Sequence, residues 1–363
     1  MAKKEDIKTN ATTDVLMTAI RKKYGNVINP MSESADDIKT ISTGSLGLDM
    51  ALGRGGMALG RVYEIYGPNS SGKSTLGVHV VIQAQRRGLK CAYLDAEMAV
   101  DPKLFANYGV DADKLTMVKV YGGEPNLDVC ERLIQTGEFS VIVVDSVSAL
   151  IPLAEVQAEM DKDSMALQAR LMSKALRKIT PQAAENNVLL LFVNQIRNKV
   201  GGYGDPTVTS GGEALNFWAS GRISVRGPES KQRRLVDPIT GDTYGHTTVF
   251  EIMKNKLGEP FKKAELNLLY GKGYDHVQEL LSLSVSLNLI EKAGSWYKYN
   301  GENIAQGELS TLDKLKEDRK LFDDLYSKVI EMTGLGVEYE RHGNPGPKFI
   351  GGPVSKQTIQ SDK

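Results

Sequence analysis

Lys73 follows a glycine and precedes two hydroxyl residues in the run Gly67-Pro68-Asn69-Ser70-Ser71-Gly72-Lys73-Ser74-Thr75, which fits G-x-x-x-x-G-K-[ST]. Glycines at this spacing let the backbone bend tightly and aim its N–H groups at phosphate oxygens, where the N-terminus of a following helix adds positive potential. A lysine so placed reaches the β and γ phosphates, and a hydroxyl at Ser74 can ligate Mg²⁺. The residues therefore predict binding of a nucleoside triphosphate with Mg²⁺. A chance glycine turn would show the same letters. Here residues 61–66 read as a strand rich in Val, Ile and Tyr and residues 75–85 as a helix, which is the context the loop requires.

Further residues of triphosphate chemistry follow at strand ends. Asp145 closes the apolar run Val141-Ile142-Val143-Val144, at the sheet edge that faces ligand in open α/β folds, and is expected to orient Mg²⁺ or its water. The competing reading is a cap for the next helix. Asp95 and Glu97 end another strand; Glu97 is the preferred base for an attacking water, with Asp95 as runner-up or cap. Asn194 and Gln195 end the run 188–193, where a neutral amide can register the γ phosphate through a hydrogen bond. Past Gln195 comes a glycine-rich stretch, Ile196, Arg197, Asn198 and Lys199 through Gly211 and Gly212, with no convincing secondary structure. Loops this long are uncommon unless they bind something. A second long segment, 152–165, leaves the Asp145 strand. Two such segments beside one nucleotide site predict a macromolecular ligand, and Arg197 and Lys199 favour a phosphate backbone. Arg170, Lys174, Arg177 and Lys178 lie along one helical stretch, and Arg222 and Arg226 on a strand; Lys231, Arg233 and Arg234 read as solvated surface.

The elements that must position these residues can be read around them. The chain has 363 residues, enough for a large α/β domain with small appendages. Strand patterns at 61–66, 90–94, 115–120, 141–144 and 188–193 alternate with helical ones, the order of a mostly parallel sheet covered by helices. Runs at 221–226, 247–254 and 263–269 alternate more and predict an antiparallel extension. Residues 1–38 carry a helix near 13–24 with an apolar stripe that must pack on something else. Residues 271–335 read as a small α/β domain and 336–363 as a flexible tail. Lysine plus arginine balance aspartate plus glutamate at 45 each, so a nucleic-acid partner must be sought in local patches. No signal segment or membrane-spanning run is present, and two cysteines make neither a disulfide framework nor a zinc site, so a cytoplasmic location is expected.

The chain resembles bacterial RecA-type recombinases, with a bacteriophage-encoded version among the sources compatible with it. The resemblance covers about residues 38–310. It rests on Ile41-Ser42-Thr43-Gly44-Ser45-Leu46-Gly47-Leu48-Asp49, the phosphate loop, Asp95-Ala96-Glu97, Val143-Val144-Asp145-Ser146-Val147, Phe192-Val193-Asn194-Gln195-Ile196-Arg197, Lys254-Asn255-Lys256 and Ile290-Glu291-Lys292-Ala293-Gly294-Ser295-Trp296-Tyr297. It implies a RecA-like phosphate-loop ATPase core (39–270) with an N-terminal polymerisation helix (1–38) and a small C-terminal domain. It also implies a helical filament on single-stranded DNA, ATP bound between neighbouring subunits, and pairing and strand exchange with homologous double-stranded DNA in recombinational repair and the DNA-damage (SOS) response. Single-strand-binding and mediator proteins are further partners it implies. By motif match, Lys73 with Ser74 or Thr75 holds phosphates and Mg²⁺, Glu97 activates water, Asp145 supports the metal and Gln195 senses the γ phosphate. Glu155 to Met165 and Ile196 to Thr209 match two DNA-binding loops, Lys254 and Lys256 reach ATP across the subunit contact, and Phe217 relays nucleotide state to the neighbour.

The chain departs from the family in places. After Asp101-Pro102 the family commonly has a tyrosine that packs on adenine; here Leu104 stands there, with Phe105 next to it. The end, Ser361-Asp362-Lys363, lacks the strongly acidic finish of many members, which predicts less competition with DNA for basic sites. Two other readings remain beside the recombinase. One is a regulatory filament that binds nucleotide and DNA with weak or no strand exchange. The other is a hexameric helicase motor, which Lys254, Lys256 and the C-terminal region disfavour.

Overall fold

Apolar runs without alternation can be buried only on both faces, and the chain does this by placing them side by side with helices above and below. In the computed structural model, which describes residues 2–25, 38–157, 165–198, 207–228 and 233–348, the strands are as follows. They are β1 (Thr40–Ile41), β2 (Met57–Ala58), β3 (Val62–Gly67), β4 (Lys90–Asp95), β5 (Leu115–Val118), β6 (Phe139–Asp145), β7 (Leu189–Asn198) and β8 (Thr207–Thr209). The series continues with β9 (Gly221–Arg226), β10 (Arg234–Val236), β11 (Thr243–Asn255), β12 (Lys263–Leu269), β13 (Gly273–Tyr274), β14 (Ile290–Ala293), β15 (Trp296–Tyr299) and β16 (Glu302–Gln306). The main sheet has the order β13-β12-β11-β9-β3-β7-β6-β4-β5.

Strands β9, β3, β7, β6, β4 and β5 are all parallel, and β11, β12 and β13 extend the sheet antiparallel. The expected antiparallel extension therefore begins one strand later than the sequence suggests. β9 alternates because one of its faces carries Arg222, but the crossover from β7 returns it parallel to β3. Two apolar cores flank the sheet, one containing Ile65, Leu76, Val143 and Leu191 and the other Val144, Leu176, Leu190 and Phe192. The helix Lys73–Arg86 follows β3 and buries Leu76, Val80 and Val81 on the first face. Helices Gly123–Gln135 and Met165–Glu185 cover the second. The C-terminal ends of β3, β4, β6 and β7 thus converge on one edge, where open α/β sheets bind ligands.

The segment after Gln195 is more regular than its glycine content suggests. β7 runs on to Asn198 and pairs antiparallel with β8, Ile196 opposite Thr209 and Arg197 opposite Val208, so both ends of the loop form the base of a β-ribbon. Backbone pairing there overrides the glycine signal, because a strand already anchored in the sheet continues cheaply.

Strands β14 to β16 form a separate antiparallel sheet packed with helices His276–Ser286, Glu308–Glu317 and Arg319–Met332. Leu46 from the main unit is part of their core. The expectation of a flexible tail from residue 336 is corrected. Leu335–Arg341 is helical, Tyr339 is buried and its hydroxyl donates to Asp49 at 2.9 Å. Asn344 then donates to the Gly55 carbonyl at 2.7 Å, and Lys348 N to Gln83 at 3.1 Å. Buried polar partners, invisible in composition, hold this glycine- and proline-rich stretch; the rest of the expected tail, 349–363, lies outside the described residues.

Residues 1–38 form a unit of their own, apart from residues 39–363. Their helix, Ala2–Tyr24, starts eleven residues before the expected start at Thr13. Val15 and Leu16 are 70% and 59% exposed.

Candidate functional site

The phosphate loop bends between the end of β3 and the helix Lys73–Arg86, as the spacing predicts. Gly72 sits at φ 100°, a left-handed conformation, and a Cβ there would lie 2.3 Å from Leu268, so only glycine fits. Thr248 on β11 donates to the Ser71 carbonyl at 3.2 Å and holds the loop from beneath. The Ser71 hydroxyl is buried without a hydrogen-bond partner among the described residues. The Lys73 ammonium donates to the Pro68 carbonyl at 2.6 Å and so lies curled over its own loop.

Lys73, Ser74, Glu97, Asp145 and Gln195 line one cavity of about 280 Å³ together with Asn69 and Ser70. Asp145 is hydrogen bonded to Ser74 and accepts from the Tyr93 hydroxyl at 2.6 Å. Burial pushes its carboxyl above the usual range, against the pull of Ser74, Tyr93 and Lys73. Burial likewise holds Lys73 below the usual lysine range, partly offset by Asp145 and Glu97. Glu97 accepts on one oxygen from both the Ser146 hydroxyl and Gln195 Nε2, the latter at 3.1 Å. Its second oxygen has no such donor among the described residues. Asp95, the runner-up base, is buried and accepts from Ala99 N at 3.0 Å and Val100 N at 3.1 Å, with Lys119 at 3.6 Å. It caps a turn and does not line the cavity.

One half-buried carboxylate and one hydroxyl beside a loop of inward N–H groups make a poor cage for a bare metal but suit Mg²⁺ held largely by phosphate oxygens and water. The Ser71 hydroxyl, buried and unpartnered, fits the same description of a cradle for an anion. Ser146 and Tyr93 escaped the sequence reading. Ser146 directly follows Asp145, and that adjacency was the available signal; Tyr93 gave none, because only the pairing of β4 with β6 brings it to Asp145.

A second cavity, about 390 Å³, adjoins the phosphate loop at Thr75 and is lined by Leu104, Tyr108, Leu268 and Tyr270 among others. Leu104 lines this cavity. Phe105 does not: it is buried with its ring 5.1 Å from Tyr93, because the helix Pro102–Tyr108 turns that position into the core. Asp101 is exposed and caps this helix by accepting from Lys103 N at 2.8 Å, and it lines neither cavity.

Lys254 and Lys256 line a third cavity with Glu213, Asn216, Phe217 and Trp218, away from the phosphate loop of their own chain. Lys254 donates to the carbonyls of Asn216 and Phe217 at 2.6 and 3.1 Å. Burial lowers its pKa, helped by Lys256 and Arg222, so the pocket is rich in positive charge. Phe217 is 72% exposed.

Among the nucleic-acid candidates, Arg170 and Arg177 are exposed on the helix Met165–Glu185, whereas Lys178 is paired with Glu131 at 2.8 Å. Arg197 is exposed on β7, Ile196 half-buried beside it, and Glu155 half-buried in the short helix Leu153–Val156. Gly211 and Gly212 turn against that long helix so closely that a Cβ on either would press on Met172 or Ala169. Arg222 and Arg226 are ion-paired with Glu64 and Glu251, at 2.5 and 2.8 Å, which makes both poor cations for DNA. Lys199 and Lys231 lie outside the described residues, as do most of 155–165; only the backbone of Met165 and Asn198 is described.

Together the sheet order, the loop at the end of β3 and the shared chamber define a phosphate-loop α/β protein. Comparison with known proteins narrows this. The RecA N-terminal domain matches residues 11–275 and the RecA C-terminal domain residues 278–334. The chain is similar to Protein RecA of Laribacter hongkongensis (strain HLHK9), 43% identical over 324 residues, covering 88% of this chain and 90% of the relative. The chain belongs to the RecA family. Among the described residues no helix is long and apolar enough to cross a membrane.

Proposed function

We propose that the chain is a DNA-dependent ATP hydrolase that assembles as an open filament on single-stranded DNA and pairs that strand with homologous duplex. The observation that carries this reading is the single chamber in which Lys73, Ser74, Asp145, Glu97 and Gln195 meet. Family membership supports the coarser activity, since RecA proteins are generally DNA-dependent ATPases.

In this reading the loop N–H groups and Lys73, released from Pro68, bind the triphosphate. Ser74 and Asp145 would hold Mg²⁺, which when bound neutralises charge on the β and γ phosphates. Glu97, oriented by Ser146 and Gln195, takes a proton from water as the water oxygen bonds to the γ phosphorus and the bond to the β-phosphate oxygen breaks. Gln195 can trade its bond to Glu97 for one to the γ phosphate. It belongs to the same strand as Ile196 and Arg197, so that exchange is felt at the base of the β-ribbon. Lys254 and Lys256 serve the ATP of a neighbouring copy, and the N-terminal helix gives the head-to-tail contact that propagates a filament. Strand exchange itself breaks no covalent DNA bond; hydrolysis resets DNA affinity.

The test is incubation with ATP, Mg²⁺, circular single strand and homologous linear duplex. Joint molecules should form with the homologous duplex and not with a heterologous one. Filaments that form without producing joint molecules would sink the recombinase reading.

A further inference from the structure

We propose that Tyr108 is the wall on which the purine base of a bound nucleoside triphosphate packs, one helical turn beyond Leu104. The proposal rests on the phosphate-loop reading above and assigns a residue to the part of the ligand that the phosphate chamber leaves unaccounted for. The cavity of about 390 Å³ opens directly from Thr75, and its remaining lining is largely apolar: Leu104, Leu268 and Leu269 with the rings of Tyr108 and Tyr270. A flat, weakly polar ring system is the ligand part that such walls suit. Residues 104 and 108 are four apart and share a helix face, whereas Phe105 faces the core. Of the aromatic residues in that helix, only Tyr108 reaches the cavity.

Tyr108 is also held in place before any ligand arrives. Its hydroxyl is hydrogen bonded to Thr75, the last residue of the phosphate-loop motif. Its ring lies 6.2 Å from that of His79 at an interplanar angle of 29°, and His79 stacks on Tyr274 at 3.7 Å and 10°. Burial drives the His79 pKa well below its usual value, so the imidazole is neutral and packs as an apolar ring. The stack occupies space that Gly273 leaves open: a Cβ there would come within 2.5 Å of His79 and 3.5 Å of Tyr108. Three rings on three separate elements thus fix one wall, so the base meets a surface whose ordering has already been accomplished by folding.

The experiment measures binding of ATP and of inorganic tripolyphosphate to the full chain by calorimetry, for the parent, Tyr108→Ala and Tyr108→Phe, each checked for an unchanged thermal transition. Base–aromatic stacking of this kind changes affinity roughly five- to a hundredfold on truncation to alanine. Tyr108→Ala should weaken ATP by that factor and leave tripolyphosphate unchanged, while Tyr108→Phe keeps the parent affinity. ATP binding unaltered in Tyr108→Ala overturns the assignment. Equal weakening of ATP and tripolyphosphate overturns it too, since the change would then act on the phosphate loop. A parent chain that binds neither ligand overturns the phosphate-loop reading as well.

Discussion

Glu97 and Asp95 are two carboxylates on one strand end, and their surroundings separate them. Asp95 spends both oxygens on backbone donors, whereas both donors to Glu97 share one of its oxygens and leave the other to the chamber. Glu97→Gln should therefore slow ATP turnover by about a hundred- to ten-thousandfold while ATP and DNA binding persist, as read by steady-state hydrolysis beside equilibrium binding. Asp95→Asn should instead cost stability, about 1–3 kcal/mol by urea denaturation, because one of the two backbone donors then faces an amide NH₂ in place of an acceptor oxygen. If Asp95→Asn abolished turnover and Glu97→Gln did not, the two roles would be exchanged.

Strands β7, β3 and β9 are tied by one buried carboxylate. Glu64 accepts from Asn194 Nδ2 at 2.8 Å and from Arg222 Nε at 2.5 Å, and Asn194 also donates to the Ser210 carbonyl at 2.9 Å. Arg222 continues the chain to Asn216 at 3.1 Å. Glu64→Leu should destabilise the fold by roughly 3–5 kcal/mol, since it leaves the mostly buried Arg222 without its counter-charge. Adding Arg222→Met should recover part of that loss in a double-mutant cycle; strict additivity would count against the bridge. A second tie joins the helix Leu335–Arg341 to the core through Asp49, which accepts from Ser42, Thr43 and Tyr339. Burial raises the Asp49 pKa to about 7, outweighing these donors. The folded chain thus holds a proton that the unfolded chain releases from about pH 4 upward. Stability falls as pH rises through that window and levels off above about 7. Asp49→Asn should remove this part of the slope, measured as denaturation midpoint against pH; an unchanged slope would show that Asp49 is ionised throughout.

At the scale of the whole molecule, the separation of Lys254 and Lys256 from their own phosphate loop is the property with the largest consequence. In the proposed filament each site takes its loop from one copy and its cations from the next. Lys73→Ala and Lys254→Ala chains should each be inactive alone, and an equimolar mixture should regain turnover, because some contacts join an intact loop to intact lysines. A mixture as inactive as its parts would mean that both sets of residues act within one chain. The exposed Val15 and Leu16 suit the same assembly, and charging them, as Val15→Glu with Leu16→Glu, should reduce the sedimenting fraction with nucleotide and DNA.

Sequence alone determined the phosphate loop, the strand-end carboxylates and the parallel core, because each is a local pattern: a loop's own glycines, an apolar run's own length, an acid at its end. The RecA resemblance was legible for the same reason, as short motifs in order. Tertiary structure decided what depends on neighbours distant in the chain. Only the pairing of β4 with β6 brings Tyr93 to Asp145, and only the packing of one short helix separates Phe105, turned inward, from Tyr108, turned to the cavity. The parallel return of β9, the ribbon at Ile196 and Arg197, and the anchored stretch 335–348 were likewise hidden. Crossovers, ladder hydrogen bonds and buried polar partners join residues at long sequence separation, and composition at one position carries no record of the residue that folding sets against it.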